Sequence, residues 1–530
     1  MLRQALLTLA LPLATVAALP AAFGGAARGE SEPGPPDTAN EPTSGRPGTG
    51  PDALPPIPET PPVTTEHEVK VGSKTLRYAV TAGTLPIAND KGEVEARLFF
   101  TSYTLKTDSP QPRRPLMFSF NGGPGSSSVW LHLGGLAPRR VRMLDDGAMP
   151  QPPFDLIENE HTWLEATDLV FIDPVDTGYS RAATPELTKR FSGVTDDLAS
   201  VGAFIRLYLT RYDRWDAPLF LVGESYGTFR AAGLAGLLIE QGIAFNGIVL
   251  VSSILDMQTA RFVAGNDLPY VLFLPTYTAT AWYHGRLPKD FQRRKLDDVL
   301  AEVEAWASTE YAVALARGAR LDEKARTQLH ERLARYTGLD HGYVALSNGR
   351  IQIHRFCKEL LRDQGKTVGR LDSRYVGFDA LGVSERPDFD PSMAAIRPPF
   401  TTMLNTYLRR DLDYQTDLEY HILRGLDWDW GSAGEGYPHT TTALADAFAR
   451  NPYLHLFVAS GRYDLATPYF ATDYTLDHLP LDTRVRQQIQ TASYPVGHMV
   501  YLERETLARL GEDVTDFIGR ATARQDRPLR

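Results

Sequence analysis

Short apolar runs, each ending in small or polar residues, recur along this chain. Between residues 64 and 105, apolar and polar positions alternate with the period of a β-strand. Amphipathic helix patterns lie between later runs, notably over 193–212 and 227–241. This alternation predicts a mostly parallel central sheet with helices on both faces. The later runs are PLMFSF, DLVFIDP, PLFLVGE, GIVLVSSI and LHLFVAS.

The loops that follow these runs should meet at one edge of the sheet, where ligands bind in such folds. Residues 259–443 break the rhythm with long helical patterns and aromatic-rich turns. We interpret this stretch as a mainly helical cap inserted into the core. The first part of the core is then predicted over 64–258 and the second part over 444–530.

The first 63 residues have a different composition from the rest of the chain. Arg3, an apolar run to about Leu19 and small residues up to Ala27 are typical of a signal peptide, predicted over 1–27. Residues 28–63 are rich in Pro, Gly, Thr, Ser and Glu, and they predict a disordered linker because they offer little apolar surface to bury. No later run approaches the roughly 20 apolar residues of a membrane span. We expect an exported protein, periplasmic or secreted, that leaves the membrane after signal cleavage.

The overall composition narrows the possible functions. The 530 residues carry a net charge of −10, and no basic block favours a nucleic-acid partner. Cys357 is the single cysteine, which excludes an intramolecular disulfide and favours a buried small residue over a catalytic thiol. The sequence has no H-E-x-x-H motif, phosphate loop or dinucleotide fingerprint, so neither a metal nor a cofactor is expected. No feature of the sequence predicts an oligomeric state.

The segment Gly223-Glu224-Ser225-Tyr226-Gly227 follows an apolar run and opens a helical pattern. That setting is the one a nucleophile elbow requires, with small residues on both sides of a tight turn. A serine there projects above the sheet at the N-terminus of a helix, but it needs a base to remove its proton. An ordinary serine in a strand-to-helix loop is the alternative.

The base should be a histidine oriented by a carboxylate, and in this fold the acid precedes the histidine along the chain. Asp464 follows the run LHLFVAS, and His498 lies in a glycine-flanked loop after another strand pattern. We predict these two residues as acid and base. The rival histidines are His439 and His478, and the rival acids are Asp473 and Asp477.

A transition state for acyl transfer also needs donors for its oxyanion. The loop FNGGPGSSS ends an apolar run and exposes backbone N–H groups under little side-chain cover. We predict the N–H groups of Gly123 and Tyr226 as donors. A plain turn is the alternative for this loop, since N-G and P-G are turn dipeptides.

Four blocks in order, NGGPGSSS, GESYGT, ASGRYDLATP and VGHMVY, resemble the serine carboxypeptidases of the α/β-hydrolase superfamily. FIDPVDTGYS resembles a fifth block of that family, and the resemblance extends over roughly residues 65 to 515. It implies an α/β-hydrolase fold in a bacterial-type member that removes C-terminal residues from peptide substrates through an acyl-enzyme. It further implies a triad of Ser225, Asp464 and His498, with Gly123 and Tyr226 as oxyanion donors.

The resemblance also implies that Asn121 and Glu224 bind the C-terminal carboxylate of the substrate. In the family a second glutamate shares a proton with the first, and its place in this chain is taken by Gly135. A protonated carboxyl can donate a hydrogen bond to a carboxylate, whereas an ionised one repels it, so this departure bears on pH optimum and specificity. We hypothesise that Arg139 or Arg140 anchors the carboxylate instead; the alternative is that both are surface residues.

Two other functions remain open at this stage. An esterase or acyltransferase could use the same triad, and the loss of the paired glutamate favours it. A non-catalytic exported binding protein on the same scaffold would leave the combination of nucleophile, acid, base and oxyanion loop unexplained.

Overall fold

The computed structural model describes residues 61–107, 114–431 and 436–523. The predicted signal peptide, 1–27, and nearly all of the predicted linker, 28–63, lie outside the described residues.

The strands of the described residues belong mainly to one ten-stranded sheet. They are β1 (Val63–Val71), β2 (Lys74–Ala88), β3 (Val94–Leu105), β4 (Leu116–Phe120), β5 (Arg139–Val141), β6 (Leu156–Glu158), β7 (Asp168–Ile172), β8 (Arg181–Ala182), β9 (Leu219–Ser225), β10 (Gly247–Ser253), β11 (Thr367–Val368), β12 (Val376–Gly377), β13 (His455–Gly461) and β14 (Ile489–Tyr494). The sheet runs in the order β1-β2-β3-β7-β4-β9-β10-β13-β14, with β8 paired to β3, while β5-β6 and β11-β12 form two small pairs.

The sheet has an antiparallel end and a parallel end. From β1 through β2 and β3 to β7 the pairings are antiparallel, and from β7 to β14 they are parallel. The β1 strand alternates between buried or half-buried and exposed residues along much of its length, whereas β4, β7 and β10 are buried throughout. Burial along the whole strand, as in β4, β7 and β10, is typical of parallel strands that are covered by helices on both faces of the sheet. The predicted mostly parallel sheet is confirmed, and its strand order is that of the α/β-hydrolase fold.

Helices surround this sheet and build the insertion. They are α1 (Val129–Leu131), α2 (Pro185–Phe191), α3 (Val194–Arg211), α4 (Tyr226–Glu240), α5 (Leu268–Tyr283), α6 (Lys289–Gln292), α7 (Leu296–Trp306), α8 (Ala312–Arg317), α9 (Glu323–Thr337), α10 (His341–Leu346), α11 (Ile353–Glu359), α12 (Pro391–Thr406), α13 (Thr441–Arg450), α14 (Tyr469–Asp477) and α15 (Arg504–Thr522). Among the described residues, π-helical turns cover His132–Leu136, Ala307–Tyr311 and Tyr407–Asp411. Short 3₁₀ turns cover Trp163–Glu165, Met257–Thr259, Gly318–Arg320, Arg362–Gln364 and Val485–Gln488.

Successive residues of the buried strands face opposite layers of the molecule. In β9, Leu219 and Leu221 pack in the layer that contains α3 and α4, while Phe220 and Val222 pack in the layer that contains α15. This follows from the two-residue period of a strand. Helix α15 contributes to its layer with residues spaced three, four and seven apart, as one face of a helix requires. These residues are Leu507, Leu510, Val514, Phe517, Ile518 and Ala521.

The predicted insertion, 259–443, divides into two parts by packing. Buried residues between Val271 and Val368 share an apolar core of their own, joined by Leu465 from the loop after β13. Buried residues from Ile396 to Ile422 instead belong to the layer of the main sheet that holds α15. The boundaries predicted for the insertion stay a prediction, but its second half packs with the hydrolase core.

Candidate active site

The turn between β9 and α4 holds Ser225 at a positive φ. Its φ is 59° and its ψ is −131°, a conformation that costs a non-glycine residue about 1–3 kcal/mol. A Cβ on Gly223 would overlap the carbonyl oxygen of Gly227, and one on Gly227 would lie 2.7 Å from the Phe120 oxygen. The glycines are therefore required by close backbone contacts. This strained turn at the carboxyl end of a central strand has the geometry of a nucleophile elbow.

Asp464 and His498 form a buried hydrogen-bonded pair. Asp464 Oδ2 and His498 Nδ1 lie 2.7 Å apart, and the two side chains are 0% and 4% exposed. The other carboxylate oxygen of Asp464 accepts the backbone N–H groups of Ala466 and Thr467, at 2.7 and 3.1 Å. A carboxylate fixed in this way accepts a hydrogen bond from Nδ1–H of a neutral imidazole, which leaves the acceptor lone pair on Nε2.

Backbone contacts join the His498 loop to the strand next to the nucleophile. Ser225 is in register with Ser253 of β10, and an irregularity just before that pair gives Ser252 a φ of 52°. The Ser252 hydroxyl donates to the backbone oxygen of His498 at 2.6 Å. The His498 N–H in turn donates to Leu371 O at 2.7 Å. The three predicted triad residues thus lie at the carboxyl ends of β9, β13 and β14, all strands of the parallel part of the sheet.

The rival residues have other partners. His439 contacts the Thr441 hydroxyl at 3.0 Å, and His478 contacts a backbone carbonyl at 2.7 Å; both are exposed. The rival acids, Asp473 and Asp477, lie in α14, downstream of the loop that holds the pair. The contacts therefore favour the predicted acid and base over their rivals.

The pKa of His498 reflects two nearby carboxyl groups. Burial alone would lower this pKa, but Asp464 and Glu224 raise it above its usual value. Stabilising the imidazolium in this way helps the imidazole to take a proton from an attacking hydroxyl.

The loop after β4 lies against the N-terminus of α4. A Cβ on Gly122 would overlap the backbone nitrogen of Tyr226, so these two segments touch. Gly123 and Gly125 both have a φ of 98°, and a Cβ on Gly125 would overlap the Arg424 carbonyl oxygen. The segments that carry the predicted oxyanion donors, Gly123 N–H and Tyr226 N–H, are therefore brought into contact.

A buried ion pair supports this loop. Arg230 Nε donates to Asp197 Oδ2 at 2.8 Å, and Arg230 Nη1 donates to Asn121 O at 2.7 Å. Both charged side chains are at least 97% buried, and the guanidinium also lies over the rings of Phe120 and Tyr226. Removing one partner would leave an uncompensated buried charge. The sequence signal for this pair is an arginine inside the apolar helix pattern that follows Ser225.

Glu224 has a tyrosine as its hydrogen-bond partner. Tyr501 Oη donates to Glu224 Oε2 at 2.5 Å, and both residues are buried. Burial raises the pKa of Glu224 to about 7, although His498 and Tyr501 act to lower it. Below about pH 7 this carboxyl is therefore mostly protonated and can donate a hydrogen bond.

Asn121 lies in the same buried region. Its Oδ1 accepts the backbone N–H of Leu131 at 3.1 Å. Its Nδ2 makes no hydrogen bond of ordinary geometry among the described residues, although the Asn121 side chain lies close enough to Glu224 to lower the pKa of that carboxyl. An unsatisfied buried amide donor is costly unless a ligand supplies an acceptor. Asn121 and Glu224, the two predicted carboxylate-binding residues, thus each offer a donor.

The arginine anchor for the carboxylate stays a hypothesis. Arg139 and Arg140 lie in β5, and Arg139 Nη2 donates to Leu156 O in the neighbouring strand at 3.3 Å. The charged neighbours of Arg140 include Arg504 and Glu160. Within the part of the chain that the structure describes, these recorded contacts are with the β5-β6 hairpin and its surroundings.

A strap of irregular chain, residues 421–431 and 436–439, crosses the loops at the carboxyl ends of the strands. Two of its residues, Trp428 and Trp430, have ring centroids 5.3 and 5.8 Å from that of Tyr226. The aromatic-rich pattern of this segment was visible in the sequence, but its position beside the nucleophile was not. Single backbone bridges join the strap to four loops: His421 to Gly178, Leu423 to Ser126, Asp429 to Gly193 and His439 to Asp256.

We also searched residues 61–107, 114–431 and 436–523 for a metal site, a membrane span and a reactive thiol. No cluster of three or more metal-ligating side chains is present there, and no helix there is long and apolar enough to cross a membrane. Cys357 is buried, as predicted, and burial raises the pKa of its thiol. A thiol in that state is a poor nucleophile.

One part of the chain is similar in sequence to a known protein family. Residues 75–266 match the family described as serine carboxypeptidase. This segment contains Asn121, Gly123, Glu224, Ser225 and Tyr226. Asp464 and His498 lie beyond it.

Curated proteins of similar sequence include a plant protein and a yeast protein. Serine carboxypeptidase-like 9 of Arabidopsis thaliana is 24% identical over 216 residues, which cover 39% of this chain and 46% of that protein. A pheromone-processing carboxypeptidase of Candida glabrata is 29% identical over 147 residues, covering 27% of this chain and 18% of the relative. The chain thus spans less than half the length of these relatives. A bacterial-type member stays a prediction.

Among solved structures, a prohormone-processing carboxypeptidase from Saccharomyces cerevisiae is similar with a TM-score of 0.48 and 16% sequence identity. The similarity covers 85% of this chain and 92% of that chain.

Proposed function

We propose that this chain is an exported serine carboxypeptidase, periplasmic or secreted, that hydrolyses C-terminal residues from peptides through an acyl-enzyme on Ser225. The observation that carries the proposal is the 2.7 Å hydrogen bond between Asp464 and His498. This pair lies at the same edge of the sheet as Ser225, whose backbone is strained. The serine carboxypeptidase match over residues 75–266 supports the same reaction. The signal-like N-terminus supports export.

Acylation begins at Ser225. With Nδ1 of His498 bound to Asp464, Nε2 takes the proton from the serine hydroxyl as Oγ attacks the scissile carbonyl carbon. The N–H groups of Gly123 and Tyr226 stabilise the oxyanion that develops. His498 then gives its proton to the leaving amine, and the C–N bond breaks to release the C-terminal amino acid.

Deacylation reuses the same groups with water as the nucleophile. His498 takes a proton from the water as its oxygen attacks the ester carbonyl, and then returns a proton to Ser225 Oγ as the ester bond breaks. The shortened peptide leaves with a new carboxylate.

Selection for the C-terminus rests on Glu224 and Asn121. Protonated Glu224 donates a hydrogen bond to the substrate carboxylate, and Asn121 Nδ2 supplies a second donor. Because Glu224 directly precedes Ser225, a carboxylate held there lies close to the bond under attack. This arrangement favours removal of one residue at a time.

The test is mass spectrometry of an unblocked peptide incubated with the wild type and with Ser225→Ala. We expect stepwise loss of C-terminal residues, abolished by the substitution and by a serine-phosphonylating reagent. Internal cleavage, or release that persists in Ser225→Ala, would contradict the proposal. A wild type that takes no phosphonyl label would favour the non-catalytic binding protein.

An esterase or acyltransferase that uses the same three residues is the second candidate. Gly135 favours it, because this residue replaces the second glutamate of the carboxypeptidase pattern. A p-nitrophenyl ester that is cleaved while every peptide with a free C-terminus is left intact would support this function.

A further inference from the structure

Tyr501 connects the loop of the proposed base to the residue before the proposed nucleophile. Tyr501 lies three residues after His498 in the same loop, and its ring is fully buried. Its hydroxyl donates to Glu224 Oε2 at 2.5 Å. A single loop therefore presents both the imidazole and the partner of Glu224.

Two adjacent glycines make room for the Tyr501 ring. A Cβ on Gly134 would overlap Tyr501 Cε2, and one on Gly135 would lie 2.8 Å from Tyr501 Cβ. Both glycines lie in the π-helical turn His132–Leu136, whose backbone is held by Asn159 Nδ2 bound to Gly135 O at 2.7 Å. Tyr501 could not keep its present position if either glycine carried a side chain.

We propose that Tyr501 is a positioning residue for substrate recognition, whose hydroxyl holds Glu224 Oε2 so that Oε1 and its proton are presented to the C-terminal carboxylate of a peptide. The inference rests on the proposed function. A phenol from the base loop thus takes the place beside Glu224 that a glutamate side chain at 135 would need.

A phenol partner affects Glu224 in a defined direction. Burial and the adjacent carboxyl raise the pKa of the Tyr501 hydroxyl well above its usual value, so the group stays a donor at all working pH values. A donor stabilises the ionised form of Glu224 and so lowers the pKa of that carboxyl. Without the hydroxyl, Glu224 should remain protonated to higher pH.

Other groups also act on Glu224. Burial raises its pKa most strongly, His498 and Asn121 lower it, and Asp464 raises it. Removal of the Tyr501 hydroxyl leaves all of these groups in place. His498 acts on every substrate, whereas Glu224 acts only on substrates with a free carboxylate. The ratio of the two kcat/KM values, for a blocked dipeptide and for a p-nitrophenyl ester of the same acyl group, therefore isolates Glu224.

The experiment measures this ratio from about pH 5 to about pH 9 in the wild type and in Tyr501→Phe. The wild-type ratio should fall with a midpoint near pH 7, the pKa of Glu224. In Tyr501→Phe the midpoint should move up by about one pH unit. The phenylalanine ring still fills the space beside Gly134 and Gly135, so thermal unfolding should change little.

Tyr494→Phe is the matched control. Tyr494 is also fully buried, and its hydroxyl donates to a carboxylate, Asp513 Oδ2, at 2.6 Å. Its removal should leave the midpoint unchanged. A second variant, Gly135→Ala, should move the midpoint in the same direction as Tyr501→Phe, because the added Cβ displaces Tyr501.

Three outcomes separate the two claims. An upward shift in Tyr501→Phe and Gly135→Ala, but not in Tyr494→Phe, supports the role of Tyr501. A wild-type midpoint that neither variant moves, or that Tyr494→Phe moves equally, overturns that role and leaves the proposed function standing. A wild type that turns over no substrate with a free carboxylate overturns the proposed function itself.

Discussion

The catalytic half and the recognition half of the candidate site are built in different ways. Ser225, Asp464 and His498 lie at the ends of parallel strands, and backbone geometry orients them: a positive φ, two N–H groups on one carboxylate, and a hydroxyl on the His498 carbonyl. Glu224 instead has its hydrogen-bond partner because of the space beside two glycines. Tyr501 reaches Glu224 only because Gly134 and Gly135 lack side chains. The difference indicates that the chemistry depends on the sheet, whereas the recognition depends on which side chain fills one buried space.

The largest expected effect is a loss of kcat when the catalytic half is changed. Asp464→Asn should keep the packing but no longer hold His498 in the tautomer that leaves Nε2 free, so kcat should fall by about 10⁴-fold for peptide and ester alike. Steady-state kinetics with both substrates checks this. Asp473→Asn, which changes a carboxyl in α14 outside the Asp464–His498 pair, is the control and should retain full activity. A loss confined to the peptide substrate would contradict the assignment of Asp464.

A change to the recognition half should affect only substrates with a carboxylate. Glu224→Gln keeps the shape and offers an amide N–H donor that does not titrate, so the alkaline fall of kcat/KM for a blocked dipeptide should disappear. In the wild type that fall should approach tenfold for each pH unit above about 7, as the protonated fraction of Glu224 declines. Ester hydrolysis should show no such change on the alkaline side; its acid limb follows His498, whose pKa should be lower where the Glu224 carboxylate no longer raises it. An unchanged alkaline limb for the dipeptide would show that Glu224 does not set it.

The smallest effect tests the buried space itself. Gly135→Ala should lower the free energy of unfolding by about 1–3 kcal/mol, because the new Cβ meets Tyr501 Cβ at 2.8 Å and Leu507 Cδ1 at 2.9 Å. Gly519→Ala is the matched control: a Cβ there meets nothing within 4 Å on the exposed face of α15, and the better helix former should stabilise slightly. Denaturant unfolding of both variants makes the comparison. Equal effects would mean that the space beside Gly135 is not filled as described.

The sheet and the catalytic half could be predicted because their signals are local. Apolar runs with polar ends mark the parallel strands, and helices predicted over 193–212 and 227–241 occur as α3 and α4. The tight contacts of Gly223 and Gly227 are likewise a consequence of a five-residue motif.

The recognition half could not be predicted because it depends on contacts between distant segments. Gly135 was visible as a missing glutamate, but the pattern did not show that Tyr501 occupies the space. The sequence offers only the arginines close to Gly135 as candidates, and the fold places them in the β5-β6 hairpin. The same holds for Trp428 and Trp430, which reach Tyr226 through a strap that crosses four loops.

The most direct test of the central claim compares a blocked dipeptide that has a free C-terminal carboxylate with its C-amidated analogue. The claim predicts that wild-type kcat/KM below pH 7 favours the free acid by about 10- to 100-fold, the effect of one hydrogen bond to a charged group at about 1.5–3 kcal/mol. This preference should decline as Glu224 loses its proton. Equal kcat/KM values for acid and amide, with both activities abolished in Ser225→Ala, would contradict a carboxypeptidase and leave a serine hydrolase of another specificity.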